Sequence, residues 1–291
     1  MGRVGQAKLM SSTTEQVPLV PLACGVEIPH LGFDVFQIPP EDTAEATTLA
    51  FQAGYRHIDT ASAYRNEAGV GQAFRASGLD RDDVFITTKC FNTQQGYEEA
   101  KHALRESLDR LELDYVDLYL IHWPVPAHDR YVETWRAFIE SQQEGLVRAI
   151  GVSNFQPAHL RRLAGETGVT PVVNQVELHP RFQQPGLRRE HEELGIVTEA
   201  WSPLAQGRVL DDPVIEGIAE AHDRTPGQVV LRWHVQLGNV VFPKSVTPER
   251  IEENLRIFDF HLSDSEMDAI EALDAGERNG PDPDTFVRPG A

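Results

Sequence analysis

The sequence is poor in cysteine and has no long apolar run. It contains only two cysteines among 291 residues, Cys24 and Cys90, too few for the disulfide framework of a small secreted domain. No segment reaches the ~20 consecutive apolar residues of a membrane-spanning helix. Residues 1–16 also lack the apolar central stretch of a secretory signal. These absences predict a cytoplasmic protein with no membrane partner, and a disordered leader over residues 1–17.

Positive charge is scarce as well. The chain has 26 Lys and Arg residues against 45 Asp and Glu residues, so its formal net charge is −19. A strongly acidic protein repels nucleic acid, and we expect no nucleic-acid partner. Any anionic ligand would require a local basic pocket. No grouping of His, Cys, Asp and Glu has the spacing typical of metal ligands, so no metal is expected.

Strand and helix patterns alternate along the chain. Short runs rich in Val, Ile and Leu recur between helical segments, as is typical of strands buried on both faces. This alternation implies a parallel sheet, and eight repeats counted from Leu31 favour a closed barrel. No Gly-x-Gly-x-x-Gly follows the first strand, so the fingerprint of an open dinucleotide-binding sheet is missing. We predict a single (β/α)8 TIM barrel over residues 18–291, with an N-terminal β-hairpin and extra C-terminal helices.

Four titratable side chains lie at the C-terminal ends of three predicted strands. Asp59 and Tyr64 follow the second barrel strand, Lys89 ends the third, and His122 follows the fourth. The C-terminal ends of parallel barrel strands open onto one face, so these residues are predicted to meet there. The alternative is a buried polar network with no catalytic role.

This set has the chemistry needed to deliver a proton to a carbonyl oxygen. Tyr64 is the candidate acid, although a free tyrosine has a pKa near ~10, high for transfer at neutral pH. The ammonium of Lys89 is expected to lower that pKa, and Asp59 to keep Lys89 charged. His122 is expected to orient the carbonyl by a hydrogen bond or to share in proton relay.

Six sequence motifs occur in a fixed order: GYRHIDTASAY, ITTK, LYLIHWP, IGVSNF, NQVELHP and PKSVTPERIEEN. Together they resemble the aldo-keto reductases, in particular the short bacterial type similar to 2,5-diketo-gluconate reductase. The resemblance extends over nearly the whole chain. It implies a catalytic tetrad of Asp59, Tyr64, Lys89 and His122, with Tyr64 as the acid. It also implies NADPH-dependent reduction of aldehydes and ketones to alcohols.

The later strand ends carry groups suited to a nicotinamide dinucleotide. Hydroxyl and amide side chains suit a carboxamide, the flat face of Trp201 suits a stacked ring, and cations beside a helix start suit a phosphate. The resemblance implies that the segment from Lys244 to Asn254 holds the adenosine 2′-phosphate and the adenine, so that NADPH is preferred over NADH. The alternative is a Lys and an Arg on a solvated helix. The implied contacts are Ser153, Asn154, Gln175, Trp201, Ser202, Pro203, Leu204, Lys244, Ser245, Val246, Arg250, Glu253 and Asn254.

Four aromatic residues are candidates for the substrate pocket. Phe36, Phe91 and Trp123 each follow a strand, and Phe286 lies in a short C-terminal tail that leaves little room for a large loop. Small aldehydes, α-keto carbonyls and keto acids are therefore the expected substrates. One position departs from the family pattern Gly-Phe-Gly-Val-Phe, because Asp34 replaces its central glycine. Its carboxyl could face outward, obstruct the cofactor or shift neighbouring pKa values.

Two other functions are compatible with a barrel of this kind. A nucleotide-binding regulatory subunit would use the same barrel with little turnover, but the intact tetrad and the absence of a partner-binding extension disfavour it. A metal-dependent hydrolase is disfavoured because ligand motifs are missing. We expect a monomer.

Overall fold

The computed structural model describes residues 17–287 of the chain. Eight parallel strands follow one another in chain order around one sheet, and a two-stranded antiparallel hairpin precedes them. The hairpin consists of β1 (Leu19–Pro21) and β2 (Glu27–Pro29). The barrel strands are β3 (Phe33–Asp34), β4 (His57–Asp59), β5 (Phe85–Cys90), β6 (Val116–Ile121), β7 (Val147–Ser153), β8 (Val173–Glu177), β9 (Val197–Trp201) and β10 (Val240–Val241).

Helices cover the outside of this sheet. They are α1 (Pro40–Ala53), α2 (Glu67–Ser77), α3 (Tyr97–Leu111), α4 (Tyr131–Gln143), α5 (Pro157–Thr167), α6 (Pro185–Leu194), α7 (Pro213–His222), α8 (Pro226–Gln236), α9 (Pro248–Leu255) and α10 (Asp264–Glu271). Helix α1 and helices α5 to α9 begin at a proline, whose fixed φ angle and missing N–H suit the first helical position. The predicted (β/α)8 barrel with an N-terminal hairpin and extra C-terminal helices is confirmed.

The barrel closes where the first strand meets the last. Leu31 forms a parallel bridge with Val241. Gly32 donates its N–H to the Val241 carbonyl at 3.0 Å, and Val241 donates to the His30 carbonyl at 3.1 Å. A Cβ atom on Gly32 would lie 2.4 Å from the Phe242 ring. Closure therefore requires a glycine at this position.

Alternation along each strand separates the outer layer from the barrel interior. On β5, Ile86 and Cys90 pack in the apolar layer between sheet and helices, whereas Phe85 belongs to a second apolar cluster inside the barrel floor. Thr87 and Lys89 share the inward direction of Phe85. The inward positions therefore change from apolar at the floor to polar at the C-terminal rim.

The predicted leader over residues 1–17 lies outside the described residues, apart from Val17. Val17 is partly buried against the outer apolar layer. Across residues 17–287, no helix combines the length and the apolar character that a membrane crossing requires.

Candidate active site

A buried lysine lies at the centre of the C-terminal rim. Lys89 is fully buried, and its ammonium contacts Asp59 Oδ1, the Thr60 carbonyl at 3.1 Å and Tyr64 Oη at 3.4 Å. The other carboxylate oxygen of Asp59 accepts a hydrogen bond from Gln175 Nε2 at 2.8 Å. All three ammonium hydrogens thus have acceptors, as a buried charge requires.

Tyr64 is carried on a short 3-10 turn just after β4. Its N–H donates to the Ala61 carbonyl at 2.9 Å. The Ser62 hydroxyl lies 2.9 Å from the Lys89 carbonyl and 2.8 Å from Gln94 Oε1. These contacts fix the turn against the end of β5. Because Lys89 donates to the phenol oxygen, the phenol hydrogen is left to point away from the lysine.

The electrostatics of Tyr64 differ from the expectation. Burial raises the pKa of Tyr64 well above its ordinary value, and the charges of Asp34 and Asp59 raise it further. The predicted lowering of this pKa is therefore wrong. The physical reason is that the Lys89 charge is neutralised by its contact with Asp59, while a second carboxyl and the loss of water both disfavour a phenolate.

His122 and Phe36 pack against the Tyr64 ring, and Phe91 packs against His122. The His122 ring lies edge-on to Tyr64, with 5.8 Å between centroids, and 6.0 Å from the Phe91 ring. Phe36 lies 5.0 Å from Tyr64 on another side and is 44% exposed. The structure thus brings the four predicted tetrad residues together, with two of the predicted pocket residues beside them.

The other two predicted pocket residues lie together, Phe286 in the C-terminal tail and Trp123 just after β6. The Phe286 ring lies 4.5 Å from the Trp123 ring. Further back, the tail is fixed to the barrel rim because Asn279 and Gly280 donate backbone N–H groups to the buried Glu177 carboxylate, at 2.6 and 2.8 Å. The tail therefore forms one wall of the rim.

Asp34 belongs to the same site. It pairs with Asp59 across β3 and β4, so both side chains point to the same face of the sheet. Its Oδ1 accepts the Phe36 N–H at 2.7 Å. Burial and the neighbouring Asp59 raise the pKa of Asp34 to about 7, against the opposing effects of Lys89 and Lys244. Of the three expectations for Asp34, the structure supports the shift of neighbouring pKa values.

A connected polar network lies beside His122. Trp201 Nε1 donates to Asn154 Oδ1 at 2.9 Å, and Asn154 Nδ2 donates to the His122 carbonyl at 3.0 Å. The Ser153 hydroxyl donates to the Gln175 carbonyl at 2.8 Å. The predicted hydroxyl and amide groups thus lie next to the tetrad, with the Trp201 ring at their edge.

A basic segment follows β10. Lys244, Val246 and Arg250 are exposed, and the Ser245 hydroxyl accepts the Thr247 N–H at 3.0 Å just before α9. Within residues 17–287, neither Lys244 nor Arg250 forms an ion pair. In a chain of net charge −19, two exposed cations outside any ion pair of the described residues are suited to an external anion.

The other residues predicted to contact the adenine and the pyrophosphate are buried or hydrogen-bonded within the protein. Glu253 accepts a hydrogen bond from Thr225 Oγ1 at 2.6 Å, and Asn254 is 7% exposed. The predicted residues from Ser202 to Leu204 form the turn after β9, where Ala205 donates to the Ser202 carbonyl at 2.9 Å.

One buried acid in this site was not singled out from the sequence. Gln175 Nε2 donates to Glu199 Oε2 at 2.9 Å as well as to Asp59, and Glu199 is fully buried. The sequence could have indicated it, because Glu199 lies two residues before Trp201 on the same strand and such residues point to the same face of the sheet. In the part of the chain that the structure describes, no cluster of His, Cys, Asp and Glu could hold a metal ion.

Comparison with known proteins shows the family of the chain. The sequence pattern described as Aldo/keto reductase family matches residues 30–275. The chain belongs to the aldo/keto reductase family. An aldo-keto reductase of Mycolicibacterium smegmatis is 55% identical over 269 residues, which cover 92% of this chain and 98% of the relative.

Two further relatives of this aldo-keto reductase are informative. Methylglyoxal reductase DkgA of Escherichia coli K12 is 51% identical over 270 residues, covering 92% of this chain and 98% of that protein. A solved structure of a mutant of Gox0644 in complex with NADPH has a TM-score of 0.91 and 48% identity, covering 94% of this chain and all of that one. The expected class, an NADP-dependent oxidoreductase, and the expected cofactor, NADPH/NADP+, are confirmed.

The residues present at the rim fit such a cofactor. Gln175 Oε1 has no hydrogen-bond partner within residues 17–287, although both hydrogens of that amide are used. Trp201 is half-buried and has a ring face large enough to stack on another ring. An acceptor, an aromatic face and the cations Lys244 and Arg250 are the groups that a carboxamide, a flat ring and a phosphate require.

Proposed function

We propose that this reductase converts small aldehydes and ketones, including α-keto carbonyls and keto acids, to alcohols, with Tyr64 as the proton donor. The observation that carries the proposal is the contact of one buried ammonium, Lys89, with both Asp59 and Tyr64 Oη. An isolated polar core network would not need to present a phenol beside an aromatic-lined opening.

The chemistry divides between the cofactor and the protein. When bound, NADPH supplies the hydride that reduces the carbonyl carbon. The carbonyl oxygen gains negative charge as this happens and requires a proton. Tyr64 is held as a neutral phenol by its raised pKa, so it has a proton to donate, and an alkoxide is basic enough to accept it.

Lys89 and Asp59 hold the phenol in place for this transfer. Lys89 donates to Tyr64 Oη, which directs the phenol hydrogen outward and stabilises the charge that develops on the oxygen when the proton leaves. Asp59 keeps the ammonium in position. His122, whose ring meets the Tyr64 ring edge-on, orients the carbonyl oxygen beside the phenol.

The proposed cofactor contacts fall into two groups along the rim. Near Tyr64, the side chains of Ser153, Asn154 and Gln175 hold the nicotinamide carboxamide, and Trp201 stacks on the ring. Beyond β9, the turn from Ser202 to Leu204 holds the pyrophosphate. The segment after β10 holds the adenosine end through Lys244, Ser245, Val246, Arg250, Glu253 and Asn254.

The proposed substrate pocket is lined by aromatic side chains. Phe36 and Phe91 line the approach to Tyr64 and His122, and the pair formed by Trp123 and Phe286 closes one side. Such a pocket suits carbonyl compounds of a few carbon atoms. The similarity to a methylglyoxal reductase, at 51% identity, supports methylglyoxal as the first compound to assay.

The test is the loss of NADPH absorbance with a panel of carbonyls: methylglyoxal, neutral aldehydes, ketones and keto acids. We expect turnover with at least one small carbonyl and one equivalent of alcohol per NADPH consumed. Tight NADPH binding without turnover on the whole panel would instead favour a regulatory subunit and contradict the proposal.

A second experiment tests the proposed phosphate contact. Replacing Arg250 by alanine removes a cation from the 2′-phosphate, so the Kd for NADPH should rise about tenfold or more, as expected for a charge-assisted contact. The Kd for NADH should change by less than about twofold. Arg256→Ala is the matched control, because Arg256 is 68% exposed and pairs with Glu252 within the chain. Equal losses for NADPH and NADH would remove the 2′-phosphate role of Arg250.

A further inference from the structure

Glu199 is a buried acid that the proposed chemistry does not use. It lies in β9 with no exposed surface. Its Oε2 accepts from Gln175 Nε2 at 2.9 Å, and its Oε1 has no hydrogen-bond partner within residues 17–287. An acid buried with so little compensation is costly to fold. Its presence beside the active site therefore suggests a role in that site.

The partner of Glu199 is held from two sides. Gln175 Nε2 has two hydrogens, one donated to Glu199 and the other to Asp59 Oδ2 at 2.8 Å. A flipped amide would place its oxygen against the charged Asp59 carboxylate, which repels it. In the observed orientation Asp59 and Glu199 accept both amide hydrogens, so Oε1 is the end left for a ligand.

Glu199 can act in this way without disturbing Lys89. Burial and the nearby Asp59 raise the pKa of Glu199 to about 8, so the group is mostly neutral at pH 7. A neutral carboxyl still accepts a hydrogen bond through its carbonyl oxygen. Asp59 therefore remains the charged partner of the ammonium.

We infer that Glu199 is a positioning residue that fixes the Gln175 amide so that Gln175 Oε1 accepts the carboxamide N–H of the nicotinamide. This inference rests on the proposed role of Gln175 in the cofactor site. It makes the buried bridge from Asp59 through Gln175 to Glu199 a support for cofactor binding as well as for the tetrad.

The first test measures cofactor affinity directly, by titration calorimetry or nucleotide fluorescence. Glu199→Leu removes the acceptor, and the Kd for NADPH should rise about five- to tenfold, the value of one hydrogen bond. Glu199→Gln retains a carbonyl oxygen and should stay within about twofold of wild type. Thr198→Val is the matched control: Thr198 is its neighbour on β9 but bonds outward to His191 at 2.8 Å.

A second probe separates positioning from general damage to the barrel. Adenosine 2′,5′-bisphosphate carries the phosphates but no nicotinamide, so its Kd should be the same in Glu199→Leu and wild type. A parallel loss for both ligands would mean that the whole site is disturbed, and would overturn the inference. Should Glu199→Leu fail to fold, Glu199→Thr replaces it, because threonine is too short to reach Gln175.

A double-variant cycle tests whether Glu199 acts through Gln175. Gln175→Met should weaken NADPH binding, and adding Glu199→Leu should weaken it no further, since coupled residues are not additive. Additive losses would overturn the inference. If Gln175→Met weakens NADPH binding while Glu199→Leu does not, the inference fails but the proposed cofactor site stands. Failure of the proposed function itself would appear separately, as wild-type protein that binds NADPH but reduces no carbonyl.

Discussion

Removing the Lys89 ammonium should lower both the stability and the turnover of the enzyme, for different physical reasons. A second substitution, at Asp59, can separate the two effects. Lys89→Met leaves the Asp59 carboxylate, which is 1% exposed, buried without its cationic partner. Breaking a buried ion pair at one partner costs about 3–5 kcal/mol. At ~2–4 °C per kcal/mol, that corresponds to a fall in Tm of roughly 6–20 °C. The loss should be smaller at acidic pH, where Asp59 takes up a proton.

The double variant Lys89→Met/Asp59→Asn removes the stranded charge. The amide oxygen can still accept from Gln175, so much of the lost Tm should return, because replacing both members of a buried pair is often nearly neutral. Turnover should not return, because Tyr64 lacks its partner in both variants. Thermal unfolding by circular dichroism and NADPH turnover on the same samples would measure both effects.

An exposed ion pair provides the control for this experiment. Arg256 and Glu252 are 68% and 63% exposed, so Arg256→Met should cost less than about 1 kcal/mol. The reasoning would be refuted if Lys89→Met were as stable as this control. It would also be refuted if the double variant were no more stable than Lys89→Met.

Two further predictions follow from the pKa values of the site. Alcohol oxidation needs a Tyr64 phenolate, which the raised pKa disfavours. The kcat for oxidation should therefore keep rising as pH increases, whereas the kcat for reduction stays constant near neutral pH. A kcat for oxidation that is already constant at neutral pH would contradict this. The pKa of Asp34 in the folded protein is about 7, raised from 3.8. The stability that Asp34 contributes is therefore greatest at a pH below its pKa in the unfolded chain, and it is lost as the pH rises through its pKa in the folded protein. Asp34→Asn should therefore lower Tm relative to wild type more at acidic than at alkaline pH, and a pH-independent difference in Tm would count against the assignment.

The tetrad could be predicted from sequence because strand ends in a parallel barrel share one rim. The order of motifs placed Asp59, Lys89 and His122 at strand ends, and the structure brings these residues together around Tyr64. The barrel itself followed from the alternation of apolar runs with helices. Its shortest strands, β3 and β10, have two residues each, and the closure between them depends on contacts that no local pattern encodes.

The sign of the Tyr64 pKa shift could not be obtained in the same way. The sequence suggested one neighbour, Lys89, but the shift is set mainly by burial and by two carboxyls, Asp34 and Asp59. Burial depends on how the whole rim packs. Glu253 is a similar case, because its bond to Thr225 joins residues 28 positions apart. Glu199 could have been predicted from the sequence, because strand geometry places it on the same face of the sheet as Trp201.

The most direct measurement of the central claim is the kcat of Tyr64→Phe with NADPH and a reactive small aldehyde, alongside the Kd of that variant for NADPH. Phenylalanine keeps the ring that packs against Phe36 and His122 and removes only the hydroxyl. We expect kcat to fall roughly 10²- to 10⁴-fold, with the Kd for NADPH unchanged. A variant that turned over at close to the wild-type rate would show that Tyr64 is not the proton donor.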